Sequence, residues 1–181
     1  MYRTAALTLA LVLIGCSNTS DEGASGTLHN DADAAFLRDM IPHHEQAAMM
    51  AEMVSSDVVS VGIAELAAEI RATQIPETER MRSWITEWDV GNDPHAGHSG
   101  SPHQGHGMMS PDELAALSAA TGTDFERLWL SMMIEHHEGA ITMARTVIED
   151  GTNRLVRGLA EGIIASQAAE IERMTALLAD R

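Results

Sequence analysis

The chain contains no lysine, a single cysteine and only six aromatic residues among its 181. Each scarcity excludes something. With Cys16 alone, no intramolecular disulfide can form and no cysteine set exists to hold zinc. Few aromatics beside plentiful Ala, Leu, Ile and Met favour helices over sheets. Positive charge is scarce too: eleven arginines face 27 acids, for a net charge of −16. Such a surface repels nucleic acid and attracts cations, although it also serves solubility and names no ligand.

Apolar runs long enough to cross a bilayer are missing as well. Ala5 to Ile14, broken only by Thr8, is too short to span but suits a signal-peptide core behind the positive Arg3. The run ends in Leu13-Ile14-Gly15-Cys16, which resembles a bacterial lipobox. Residues 1–15 then read as a lipoprotein signal peptide, Cys16 as the acylated first residue of the mature chain, and 16–30 as a flexible tether rich in Ser, Gly, Asn and Asp. The expected location is the cell membrane or an outer membrane, anchored by lipid and facing outside the cytoplasm.

What is present is a duplication. Shifting the chain by 93 residues aligns two halves without a gap. Met40-Ile41-Pro42-His43-His44-Glu45 falls on Met133-Ile134-Glu135-His136-His137-Glu138. Met50-Ala51 meets Met143-Ala144, Leu66-Ala67 meets Leu159-Ala160, and Gln74 meets Gln167. Glu77, Glu79, Arg80 and Met81 meet Glu170, Glu172, Arg173 and Met174.

Each half reads as a helical hairpin. The first helix is predicted from a cap at Asp31 or Asp33 to about Ser56, with a kink at Pro42, and the second over about Val61 to Trp88 with an irregularity at Pro76. In the second half a helix opens at Thr123 or Asp124 and closes at Asp150-Gly151, Gly suiting the left-handed position after a helix. The last helix covers about Thr152 to Ala179. The long helices of about 25 residues would each run roughly 37 Å, which makes an all-α four-helix bundle. Its parts are repeat one (31–89), a His-rich linker (90–110) and repeat two (111–181), the latter opening on a short helix capped by Ser110-Pro111-Asp112-Glu113. Whether the bundle closes within one chain or pairs with a second copy stays open.

On a helical wheel Met40, His43, Ala47 and Met50 form one stripe, with His44 one step round; Met133, His136, Ala140 and Met143 repeat it, with His137 alongside. The second helices offer a matching stripe of Gln74, Glu77 or Thr78, and Met81, repeated as Gln167, Glu170 or Ile171, and Met174. Glu45 and Glu138 could equally be solvated, the glutamines could merely bridge helices, and a Met stripe is often only core filling. Paired histidines on an apolar stripe are harder to dismiss, because buried imidazoles need partners. Thioethers suit Cu(I), and Ag(I) by the same softness, while imidazole suits copper in either valence. Copper, Cu(I) first, is therefore the expected metal, with silver possible and iron or zinc behind. His95, His98, His103 and His106, followed by Met108 and Met109, add a second cluster in the linker that could capture ions and pass them on.

The stretches MIPHHEQAAMMA, GMMSPDELAAL and FERLWLSMMIEHHEGAITMA, with the Gln-x-x-Glu-x-Glu-Arg-Met ending, resemble the domain of unknown function 305 family, which includes CopM-like copper-binding proteins. The likeness covers about residues 31 to 181. It implies a ferritin-like four-helix bundle, export to the envelope, and copper binding through Met40, His43, His44, Met50, Met133, His136, His137 and Met143. Gln46 and Met49 stand where the second half has Gly139 and Thr142, so the two halves can differ in affinity.

The reading is a non-enzymatic envelope protein for copper sequestration or transfer, with metal ions, the membrane and a copper donor or acceptor protein as partners, and no nucleic acid. Two rivals come from other classes. A dinuclear oxidase would need Glu-x-x-His, but Met or Ile stands three residues before each bundle histidine. A purely structural or partner-binding bundle would use the Met stripe as an interface.

Overall fold

A computed structural model describes residues 28–55, 59–90 and 105–181; the signal segment, Cys16, and His95, His98 and His103 lie outside the described residues. Among these the protein has five helices and no strand: α1 (Asp31–Glu52), α2 (Val61–Glu87), α3 (Pro111–Ala119), α4 (Gly122–Asp150) and α5 (Arg154–Ala179). The fold is the all-helical one expected from the repeat: α1 packs on α2 and α4 on α5 as hairpins, and the hairpins join chiefly through α1 and α4.

Local chemistry explains the helix ends. Asn30, rather than either Asp, caps α1: its side chain accepts from the Asp33 N–H while the Asp33 carboxylate accepts from the Asn30 N–H, both at 3.0 Å. Ser110 and Glu113 form the expected box on α3. Helix α4 starts slightly earlier than expected, at Gly122, and α1 stops at Glu52. Pro42 and Pro76 sit within continuous helices. Gly151 is extended, with φ −79°, and not left-handed. Glycine is needed there for room, since a Cβ would press on the Asp33 carboxylate and the Val147 carbonyl.

The core is divided along its length. One apolar cluster gathers Ala47, Met50, Ile63, Leu66, Trp129 and Met133 with neighbours, and the other gathers Phe36, Leu37, Met40, Ala144, Leu159 and Ile163 with theirs. The N-terminal part of α1 thus shares a cluster with the C-terminal part of α4, so the two helices run antiparallel. Between the clusters, each long helix contributes buried polar groups: His43 and His44, Gln74 and Thr78, His136 and His137, Gln167 and Glu170. A polar layer therefore crosses the middle of an otherwise dry bundle.

The duplication also governs the bundle ends. Asp33 and Glu126 stand 93 residues apart in register, and each carboxylate reaches the N-terminal turn of a helix in the other hairpin. Asp33 Oδ2 accepts from the backbone N–H groups of Thr152 and Asn153, both at 3.0 Å. Glu126 accepts from Ser60 N–H at 2.6 Å and from Arg181 Nε at 2.7 Å. A carboxylate at a helix N-terminus satisfies orphan donors and meets the positive end of the dipole. Asp33→Ala is expected to lower stability by about 3 kcal/mol, because several buried donors lose their acceptor together. Urea denaturation checks this; a loss below about 0.5 kcal/mol, the range of ordinary surface changes, would contradict it.

Candidate metal centre

The central layer is built by α1 and α4. His43 and His136, one from each, meet with ring centroids 3.7 Å apart and planes tilted by 40°. Both side chains are almost wholly buried, each 1% exposed. Burial pushes His43 down to about 3, opposed by its hydrogen bond to His106 and aided by the charge of nearby His44; burial, then His43, drives His136 well below the ordinary imidazole value. Both rings therefore stay unprotonated, and open to a cation, well into acid.

The other two histidines are held by carboxylates. His44 Nε2 donates to Glu77 and His137 Nε2 to Glu170, each at 2.8 Å. A carboxylate only accepts here, so the proton sits on Nε2; in the neutral tautomer this fixes, Nδ1 carries an open lone pair. His43 reaches the same state by another route, its Nε2 donating to the His106 carbonyl at 2.9 Å. Among the described residues the Nδ1 atoms of His43, His44, His136 and His137, and also Nε2 of His136, are buried without a hydrogen-bond partner. An imidazole whose outer N–H is fixed by a carboxylate or carbonyl while its other nitrogen stays open is how proteins prepare a metal ligand.

Thioethers flank this layer on both sides. Met40, Met81 and Met143 belong to one apolar cluster; Met133, Met174 and Met50 belong to the other. The two triads are repeat partners, since the 93-residue shift turns Met40, Met81 and Met50 into Met133, Met174 and Met143. Each triad takes two members from its own half and one from the other. Among the described residues no three His, Cys, Asp or Glu side chains converge to hold a metal. The thioethers beside the layer are donors of the kind that favour a soft ion.

The remaining expected residues divide. Gln74 and Gln167 are buried in the layer, with Gln74 Nε2 and Oε1 and Gln167 Oε1 unpartnered. Thr78, the alternative to Glu77, bonds back to the Gln74 carbonyl at 2.9 Å and leaves Glu77 to hold His44. Likewise Glu170, not Ile171, meets His137. Glu45 is exposed and paired with Arg82, and Glu138 is exposed. Of the linker residues, His106 is exposed, Met108 half-buried, and Met109 packed in the core with Met50.

Sequence reasoning missed how the linker docks. Residues 105–109 lie across the bundle over Gly139, where any Cβ would collide with the His106 carbonyl. Opposite, the Gln46 amide clasps Met109, accepting from its N–H at 2.7 Å and donating to its carbonyl at 2.9 Å. The signal was the departure from the repeat: Gly139 and Gln46 occupy matching positions and are the two contacts that seat the linker on one side only. Gly139→Ala is expected to lift residues 105–109 and release both Met109 bonds, costing about 1–3 kcal/mol as for other overpacking changes. Hydrogen exchange at the Met109 amide should accelerate; unchanged protection there would refute the contact.

This arrangement defines a class: a duplicated helical hairpin bundle with a buried imidazole layer between two thioether clusters. The sequence pattern of the domain of unknown function DUF305 matches residues 33–178, and the chain belongs to that family. Its fold is similar to that of a DUF305 protein from Streptomyces coelicolor inferred to be secreted, with 35% identity and a TM-score of 0.72, over 82% of this chain and 93% of that one. A DUF305 fragment from Deinococcus radiodurans matches at 28% identity and the same TM-score, over 84% and 98% of the two chains. CopM in its Cu(II)-bound form matches at 31% identity and a TM-score of 0.69, over 82% and 96%. CopM structures bound to Cu(I) and to silver are similar as well. No functionally curated protein matches the chain. No helix among the described residues is long and apolar enough to cross a membrane.

Proposed function

We propose that this protein sequesters or transfers copper at the cell envelope and catalyses no reaction. The observation that carries the reading is the set of four buried Nδ1 atoms without partners, lying between two repeat-related methionine triads. Unpartnered buried nitrogens are costly in a folded protein and persist where something else completes them. The metals bound in the CopM structures, Cu(I), Cu(II) and silver, support a soft monovalent ion as the principal cargo and the imidazoles as ligands able to follow a change of valence. The lipobox at Cys16 supports anchoring on the outer face of a membrane, where the acidic surface draws cations inward and a donor or acceptor protein can dock.

The test is Cu(I) titration of the purified protein against a competing chelator, beside a variant with Met40, Met50, Met133 and Met143 all changed to Leu. Leu for Met conserves volume, so the fold should survive. The expected result is a loss of affinity of about 100-fold, equivalent to about 2.7 kcal/mol. Equal affinity in both proteins would take these thioethers out of the site and end the mixed imidazole–thioether reading.

A further inference from the structure

The duplication supplies a comparison within one chain, and the two halves differ at one groove. Ala32, Ala35 and Asp39 of α1 stand in register with Phe125, Leu128 and Met132 of α4. In the second half those side chains fill the space: Phe125 and Met132 are buried in one cluster with Met50 and with Leu117 of α3, and Leu128 packs against it. In the first half the small residues leave a groove of about 150 Å³ between α1 and α4, lined by Ala32, Ala35, Asp39, His106, Met143 and Thr146. Three chemistries that bind cations thus border one open space: a carboxylate, an imidazole and a thioether.

Two further features fit a site. Met143 lines the groove and also belongs to the apolar cluster that contains Met40 and Met81. His106 sits at φ 59°, a left-handed conformation unusual for a residue with a side chain, and Gly139 makes room for its carbonyl. That carbonyl accepts from His43 Nε2, so the residue at the groove's edge is coupled through one hydrogen bond to the central imidazole pair.

We propose that this groove is a surface loading site for a soft monovalent cation, Cu(I) or Ag(I), held by His106 and Met143 beside Asp39 before it moves to the interior. The proposal rests on the copper reading but has its own residues. The softer donors hold the ion while the carboxylate raises its local concentration. Cargo enters by ligand exchange at constant valence, so no oxidant or reductant is required. In the second half Phe125, Leu128 and Met132 take the places of Ala32, Ala35 and Asp39, so the carboxylate has no counterpart there.

The test uses Ag(I), which is redox-inert, and the protein labelled at its methionine methyl groups. Methyl NMR should show Met143 shifting at the first substoichiometric additions. It should still shift in a Met40→Leu/Met50→Leu/Met81→Leu/Met133→Leu/Met174→Leu variant, which removes the other interior thioethers and spares the groove. An Asp39→Asn/His106→Asn variant keeps the left-handed backbone, which Asn tolerates. It should reach the same final silver content as the parent but load at least about tenfold more slowly, the scale of local charge effects on association. A silent Met143 at one equivalent, or loading at the parent rate, would overturn the loading site. Interior binding is read separately from the Met40 and Met133 methyls, so failure of the groove and failure of the copper reading give different spectra.

Discussion

His136→Phe is expected to make the metal-free protein more stable and to remove most of its stabilisation by silver. Among the described residues neither ring nitrogen of buried His136 has a partner, and its ring lies tilted against His43 with centroids 3.7 Å apart. Phenylalanine keeps a flat ring and removes two desolvated polar atoms. Each such atom costs about 1–3 kcal/mol; after allowing for the larger ring, a net gain of about 1–2 kcal/mol follows. The parent should gain about 2.7 kcal/mol from Ag(I) at a hundredfold excess over its dissociation constant, and the variant should lose most of that gain. Denaturation with and without silver measures both quantities. A metal-free variant weaker than its parent would show that the imidazole holds the fold, and the metal reading of the layer would lose its main support. The opposed signs distinguish a site retained for function from one retained for packing.

Acid should unfold the metal-free protein through the same two rings. Unfolded, each histidine titrates near pH 6.5; folded, His43 titrates at about 3 and His136 well below the usual value. Between those limits the unfolded chain binds protons that the folded chain refuses, so stability falls as pH falls. The stability contributed by the neutral rings is fully present above pH 6.5 and declines below it, His43 continuing to lose ground down to about 3. Each ring costs about 1.4 kcal/mol per pH unit, so the pair removes about 4 kcal/mol between pH 6.5 and 5, a large share of an ordinary domain's stability. Glu126 adds to the loss at lower pH, since its hydrogen bond to Arg181 holds its carboxyl below the usual range and that contribution disappears as pH falls through the lowered value. Urea titrations at pH 7.5, 6.5 and 5.5 check the slope. Flat stability from pH 7 to 5 would mean that water reaches the rings. A His43→Phe/His136→Phe protein should show little slope above pH 5.

Saturating copper or silver should oppose this acid loss, because an ion on the open nitrogens stabilises the folded state alone. A loaded protein is then expected to persist at a pH where an empty one unfolds, which urea titration at pH 5.5 with and without silver checks.

The sequence by itself determined the duplication, the four long helices, the short capped helix after the linker and the burial of both His-His pairs. These follow from local rules. A periodic apolar stripe must face a core, Ser-Pro-x-Glu must open a helix, and a 93-residue register leaves little freedom in pairing the halves. The first cap was expected at Asp31 or Asp33, and the box in which Asp33 serves as the third helical residue made Asn30 the cap instead. Gly151 looked like a left-handed terminus, and only the crowding by Asp33, 118 positions earlier in the chain, shows that it lacks a side chain for want of space.

Tertiary structure decided the rest, because the deciding contacts join residues far apart in sequence. A helical wheel offered Glu77 and Thr78 equally; only the approach of α1 put Glu77 on His44. The stripes placed each Met beside a His of its own helix, whereas antiparallel packing of α1 on α4 built each triad from both halves. The breaks in the repeat at Gln46 and Gly139 were visible as letters, but their meaning was not. Docking of the linker over Gly139 and against Gln46 set His106 beside the groove between α1 and α4, and that asymmetry depends on which surfaces the folded chain brings together.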